Sequence, residues 1–155
     1  MDSDNGILAN NFIFDSSFLN KTDENRFDRH EDYICTSIQY PNCYYFSTVV
    51  KKSQTEIFNE WTILEISPKI ITDSTKFCPV NAATKGGRMI KGGYEAFESI
   101  FNERITGKRT FVRNKLYPSN VPTNVQAEVL IYNKYLKNIL LPLFSPRKNL
   151  LKENV

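Results

Sequence analysis

Glu128 stands in the run Val125-Gln126-Ala127-Glu128-Val129-Leu130-Ile131. Apolar and β-branched residues dominate it, and Pro118, Asn120, Pro122 and Asn124 mark a loop before it, so it reads as a strand. Alternation puts Gln126, Glu128 and Leu130 on one face and Val125, Ala127, Val129 and Ile131 on the other. A carboxylate in the middle of an apolar strand is costly unless it is paired, hydrogen-bonded or at a cleft. Two explanations are open: an edge-strand glutamate facing water, as most glutamates do, or a catalytic carboxylate held on a rigid element. Gln126, two residues away on the same face, would share whatever site Glu128 serves.

Other residues add candidate chemistry. Arg26 and Arg29 lie among acids in the polar stretch 20–32. They make either weak surface ion pairs or an anion clamp, because guanidinium offers a planar bidentate fork. His30 is the single histidine and has no partner that would make it a general base, so a structural or exposed role fits it. Cys35, Cys43 and Cys78 form no C-x-x-C pair and no disulfide framework. With His30 they match no usual zinc spacing, and no metal is expected. The small-residue loop 81–93 carries two glycine pairs before a helix expected over 94–104. It is either a phosphate-holding loop or a hinge, and it fits no standard nucleotide-binding pattern.

The elements that must position these residues alternate in type. Strands are expected at 33–39, 61–66, 76–80 and 125–131, and a second helix at 134–143. Tyr44, Tyr45 and Phe46 are expected in the core or a pocket wall, and 105–124 as a long basic connection. The length of 155 residues suits one domain with a real core. No run approaches the roughly 20 apolar residues of a membrane span. The start is acidic and polar, unlike a targeting signal, which makes the expected location cytoplasmic. Charge is graded: residues 1–34 hold eight acids and three bases, residues 104–155 ten bases and two acids. Aromatics interleave with the bases at Phe111, Tyr117, Tyr132, Tyr135 and Phe144. Such a mixture suits single-stranded nucleic acid, where cations follow phosphates and rings stack on bases. It also suits a plain solvated face and tail.

Four segments together resemble the DarT family of NAD-dependent DNA ADP-ribosyltransferases, toxins of bacterial toxin–antitoxin pairs. They are Arg26-Phe27-Asp28-x-His30-x-Asp32-Tyr33-Ile34-Cys35-x-Ser37-Ile38-x-x-Pro41-Asn42, then Leu64-Glu65-Ile66-Ser67-Pro68, then Phe77-Cys78-x-x-Asn81-Ala82-Ala83, and finally Tyr117-Pro118-x-x-x-Pro122-Thr123-x-x-Gln126-Ala127-Glu128-Val129-Leu130. The resemblance implies an α+β fold with an ADP-ribosyltransferase-like split central β-sheet flanked by helices, over a domain 1–144 followed by a basic tail 145–155. It implies Glu128 as the catalytic glutamate and Arg26, with Arg29 as fallback, as the NAD-binding arginine. Ser37, Asn81 and Gln126 become further NAD contacts. The connection 104–123 becomes the loop that presents nucleic acid, with Arg109, Arg113, Lys115 and Tyr117 as contacts. NAD enters as a substrate, and the partners implied are single-stranded DNA and a macrodomain antitoxin, for a protein expected to be monomeric.

Relative to the family, the chain opens at what resembles the end of the first strand–helix element, which carries a His-containing NAD motif. An N-terminally shortened pocket is therefore expected. Three functions stay open at this point: ADP-ribosyl transfer to a base in single-stranded DNA, the same transfer to RNA or protein, and an inactive relative that only binds nucleic acid.

Overall fold

The computed structural model describes residues 7–13, 26–53, 61 and 63–135. In chain order the strands are β1 (Ile7–Leu8), β2 (Tyr33–Thr36), β3 (Lys76–Cys78), β4 (Lys91–Gly92), β5 (Arg104–Thr106), β6 (Thr110–Val112), β7 (Glu128–Tyr132) and β8 (Lys134–Tyr135). The helices are α1 (Cys43–Ser53) and α2 (Tyr94–Ser99). Helices and antiparallel strands are mixed, an α+β arrangement.

The main sheet has the order β2-β7-β3-β4. Each neighbouring pair is antiparallel, with Thr36 opposite Val129, Cys35 opposite Leu130 and Cys78 opposite Glu128. The strand that begins at Glu128 is therefore interior, which removes the edge-strand explanation of its carboxylate. Val129, Leu130 and Ile131 are buried on alternating faces, as expected where both sides of a strand are covered. On one face Val129 and Ile131 pack with Phe77, Ala96, Ile100 and Ala127 under α2. On the other, Leu130 packs with Tyr33, Cys78, Val80 and Ile105.

The strand is shorter at its start than the apolar pattern predicts. Asn124 is 1% exposed. Its side-chain oxygen accepts the Gln126 N–H at 3.0 Å, and its carbonyl accepts the Ala127 N–H at 2.9 Å. This local capture competes with a sheet ladder and turns 125–127 into a tight entry. Gln126 is thus on a turn, not on the strand face of Glu128, and that expectation is corrected. At the other end, Asn133 has φ 70°, a left-handed conformation that asparagine tolerates. It bends β7 into β8, which pairs with β1. The helix expected over 134–143 therefore starts in a strand, where pairing with Ile7 and Leu8 overrides the local period. The rest of that expectation, from 136 on, lies outside the described residues, as does the tail 145–155.

Three further expectations change. Among the described residues of 61–66 only Ile66 makes a sheet bridge, and 63–65 are irregular. Cys43 to Ser53 form a helix whose Asn42 side chain accepts the Tyr45 N–H at 3.2 Å. That helix buries Val49 and leaves Tyr44 68% exposed, so Tyr44 is not core. The connection 105–124 contains the β5–β6 hairpin, closed by Gly107 N–H to the Arg109 carbonyl. Helix α2 ends five residues before 104 because the loop enters its C-terminal end. Thr123 gives its N–H to the Ile100 carbonyl and its hydroxyl to that of Asn102.

Candidate active site

Glu128 opens β7 on the face it shares with Leu130, where Tyr33 and Cys35 of β2 and Cys78 of β3 also point. It is partly buried. The Asn81 side-chain amide donates to Oε1 at 2.9 Å. The Ala82 N–H and the Cys35 thiol also donate to the carboxylate. Asn81 is itself fixed, because its Oδ1 accepts the Ala83 N–H at 3.1 Å. Burial pushes the Glu128 carboxyl upward, and the negative Asp28 adds to this. The Cys35 and Ala82 hydrogen bonds and the positive Arg26 pull it back without cancelling the rise. The result is a carboxylate held by neutral donors and shifted towards the range where it can exchange a proton.

Arg26 is adjacent, but its fork is occupied. Nε donates to Asp28 Oδ1 at 2.9 Å and Nη2 to Oδ2 at 2.7 Å, with Asp28 only 3% exposed. Nη2 also reaches the His30 carbonyl at 2.7 Å and Cys35 Sγ at 3.5 Å, and Nη1 reaches the Tyr33 carbonyl at 3.2 Å. The Asp28 hydrogen bond holds the guanidinium firmly protonated, and the negative charges of Asp28 and Glu128 add to this against burial. Asp28 is lowered overall, because Arg26 outweighs its burial. Arg26 therefore presents positive charge and one uncommitted Nη1 proton among the described contacts, not a free bidentate clamp. Arg29 is exposed on the following turn at φ 59°.

The loop after β3 encloses this pair. Gly87 has φ 81°, and a Cβ there would collide with the Asp28 carbonyl, so only glycine lets the turn Thr84–Gly87 lie against Asp28. His30 is structural, as expected. Its Nδ1 lies 2.7 Å from the Asp28 carbonyl and its Nε2 3.0 Å from Lys76 Nζ. One tautomer satisfies both, with Nδ1–H donating and Nε2 accepting. Lys76 also sits over the Tyr33 ring at 4.6 Å.

Of the expected site residues, Glu128, Arg26 and Asn81 come together. Ser37 is exposed just beyond Thr36, next to Glu128 by strand register. Arg109 and Lys115 are exposed on the segment 107–117, with Tyr117 47% exposed beside Leu116 at 87%. Arg113 belongs to the framework. It donates to the carbonyls of Val121 and Pro118 at 2.7 Å each and to the Thr123 hydroxyl at 3.2 Å. Cys35 was not foreseen as a site residue. The signal for it lay in strand parity: on a strand beside β7, position 35 must share the Glu128 face. Both site thiols are poor nucleophiles. Cys78 is buried, and that burial pushes its thiol up to about 11. Cys35 keeps an exposed surface, and the protein packed around its sulfur, with the Glu128 charge, raises its thiol above the usual range. They act as donors and packing groups. Among the described residues no three metal-ligating side chains gather, and no helix is long and apolar enough to cross a membrane.

No curated protein matches this sequence. A family model described as ssDNA thymidine ADP-ribosyltransferase, DarT, matches residues 3–143, a span that contains Arg26, Asn81, Glu128 and the basic loop. The chain belongs to the DarT family of single-stranded-DNA thymidine ADP-ribosyltransferases.

Proposed function

We propose that the cleft in front of Glu128 binds NAD, that Glu128 is its catalytic carboxylate, and that the protein is the toxin of a toxin–antitoxin or phage-defence pair countered by a macrodomain antitoxin. Family membership supplies the reaction, transfer of ADP-ribose from NAD to thymidine in single-stranded DNA. The observation that carries the residue assignment is the clamping of Glu128, on an interior strand, by Asn81, Ala82 and Cys35 beside the charge of Arg26.

The bond between nicotinamide and ribose C1 breaks with its electron pair leaving on nicotinamide, and positive charge develops on the ribose. Glu128 stabilises that charge, as carboxylates do in glycoside hydrolysis. Thymine has one ring N–H, since its other ring nitrogen carries the deoxyribose. That nitrogen forms the new bond to C1, and its proton passes to Glu128 or water. Single strands leave the base edge free for this attack.

Arg26 contributes fixed positive potential and its one free N–H towards the diphosphate, while Asp28 keeps the guanidinium in place. Ser37, Arg29 and Gln126 line the approaches as further NAD contacts. Asn81 positions Glu128. Arg109, Lys115 and Tyr117 face solvent for the DNA strand. The pairing of β1 with β8 beside the main sheet supports an ADP-ribosyltransferase-like split sheet.

The test is incubation with NAD and mixed single-stranded oligonucleotides, read by mass spectrometry. A gain of one ADP-ribose on thymidine is expected, lost in Glu128→Ala. Equal modification by the variant would overturn the assignment of Glu128.

A further inference from the structure

A cavity of about 670 Å³ opens on the other side of the sheet from Glu128. Phe97 and Phe101 form its apolar wall and pack edge to face at 5.5 Å. They belong to the core that holds Val129 and Ile131, the face opposite Glu128. Tyr94 stands at the rim, 70% exposed. The polar lining includes the amides of Gln39, Asn102 and Asn120, the Ser119 hydroxyl and the Glu98 carboxylate.

Two segments contribute to both the cavity and the surroundings of Glu128. Gln39 lies three residues past Thr36, whose partner is Val129. Asn120 lies on the loop that runs into Glu128. The Asn120 amide donates to Gln39 Oε1 at 3.0 Å, which ties the two segments together. That bond leaves Asn120 Oδ1 as an acceptor and the Gln39 amide as a donor. The Tyr94 hydroxyl donates to Glu98 Oε1 at 2.7 Å, which orients the carboxylate and leaves its second oxygen to accept.

We propose that this cavity receives a second unpaired nucleobase of the same DNA strand whose thymidine is modified, and that it favours a base bearing an exocyclic amine. The inference rests on the reading that single-stranded DNA is the substrate. Aromatic walls suit the flat face of a base. An amide pair offering one donor and one acceptor suits a base edge, and a carboxylate accepts from an exocyclic amine as it does from cytosine N4. Phosphate is disfavoured here, since among the described residues the lining holds Glu98 and no lysine or arginine, and Arg113, over the Phe101 ring at 5.9 Å, is engaged by the carbonyls of Pro118 and Val121. The phosphates then follow the exposed bases outside, at Arg109 and Lys115. A strand gripped by one base in this cavity would present a neighbouring thymidine around the sheet end to Glu128.

The experiment uses short oligonucleotides with one thymidine. The neighbouring positions are varied among cytosine, adenine and their amine-free counterparts, uracil and hypoxanthine. Binding is read by fluorescence anisotropy without NAD, and modification by mass spectrometry after NAD is added. At one neighbouring position the amine-bearing base should bind about ten-fold tighter than its deaminated counterpart. In Glu98→Gln that preference should fall below about three-fold, with affinity for the deaminated strand unchanged, and Asn120→Ala should weaken binding at the same position. No amine preference in the wild type, or one untouched by both substitutions, overturns the proposal even where thymidine is modified normally. An amine preference lost in Glu98→Gln without any thymidine modification supports the cavity and instead removes the reading of the reaction.

Discussion

Arg26 and Asp28 are the pair whose separation says most about how the site is built. Asp28 is 3% exposed and the Arg26 side chain 20%, and two N–H···O bonds of 2.9 and 2.7 Å join them. Breaking a buried pair from one side costs about 3–5 kcal/mol, because the charge left behind has no partner. Asp28→Ala falls at the lower end, about 3 kcal/mol, since Arg26 keeps the carbonyls of His30 and Tyr33 and some water. Arg26→Ala strands Asp28, whose other contact is the His30 N–H at 3.5 Å, and belongs nearer the upper end. The double variant should lose less than the sum of the two by about 2–3 kcal/mol, measured by urea unfolding at pH 7. The wild type and Arg26→Ala should also respond oppositely to acid. In the wild type the folded-state pKa of Asp28 is depressed, so its stabilisation is present above the unfolded value and is lost as pH falls through the folded one. With Arg26 gone, burial alone raises that carboxyl. Its contribution is then greatest below the unfolded value, near 4, and fades as pH rises, so Arg26→Ala should gain stability between about pH 7 and 4. Additivity within about 0.5 kcal/mol, or an Arg26→Ala variant of wild-type stability, would refute the framework role and return Arg26 to a free ligand clamp.

Three other outcomes follow from the same geometry. Asn81→Ala should lower kcat about ten-fold or more while moving the NAD affinity little, because its amide holds Glu128; a pure loss of NAD binding in calorimetry would contradict this. The raised Glu128 carboxyl makes its contribution to stability largest below the unfolded carboxylate value and smaller as pH rises through the folded one. Glu128→Gln should therefore remove part of the stability decline above about pH 4, seen as a flatter Tm against pH. Arg113→Ala should lower Tm, since it loses charge-assisted bonds to Val121, Pro118 and Thr123 worth about 1.5–3 kcal/mol each when made. Lys115→Ala should leave Tm alone and reduce the salt slope of DNA binding by about one ion.

How much of this was legible in the sequence depends on whether the deciding contact is local. Apolar alternation across 129–131 identified the strand and its two faces, because burial on an interior strand follows parity. It misplaced Gln126, because one buried asparagine at 124 captured the two N–H groups that a longer strand would have used. The Arg26 and Asp28 pair was visible as an i, i+2 spacing, but other acids crowd the same stretch and only the fold selects among them. Cys35 carries no signal in its own stretch because the carboxylate it faces, Glu128, lies more than ninety residues away. The start of β8 was read as helix because its partner is Ile7–Leu8, at the opposite end of the described chain.

These contacts also explain why the carboxylate tolerates its position. A glutamate on an interior strand carries a desolvation cost that a salt bridge could offset. Arg26, the cation near enough to bond Cys35, is held by Asp28 instead. Glu128 receives three neutral donors, from Asn81, Ala82 and Cys35. A direct ion pair would lower its pKa and screen its charge from the ribose, both of which work against a group meant to meet a developing cation. If Glu128 is the catalytic carboxylate proposed above, Asp28 has a chemical function as well as a structural one. By occupying the guanidinium fork it keeps Arg26 close to Glu128 without letting the two pair. Asp28→Asn tests this directly. It frees part of the fork, and Arg26 should then swing towards Glu128, lower the acidic limb of the pH–rate profile and reduce kcat about ten-fold or more. A fall in stability with an unchanged pH profile would show instead that Asp28 serves the fold alone.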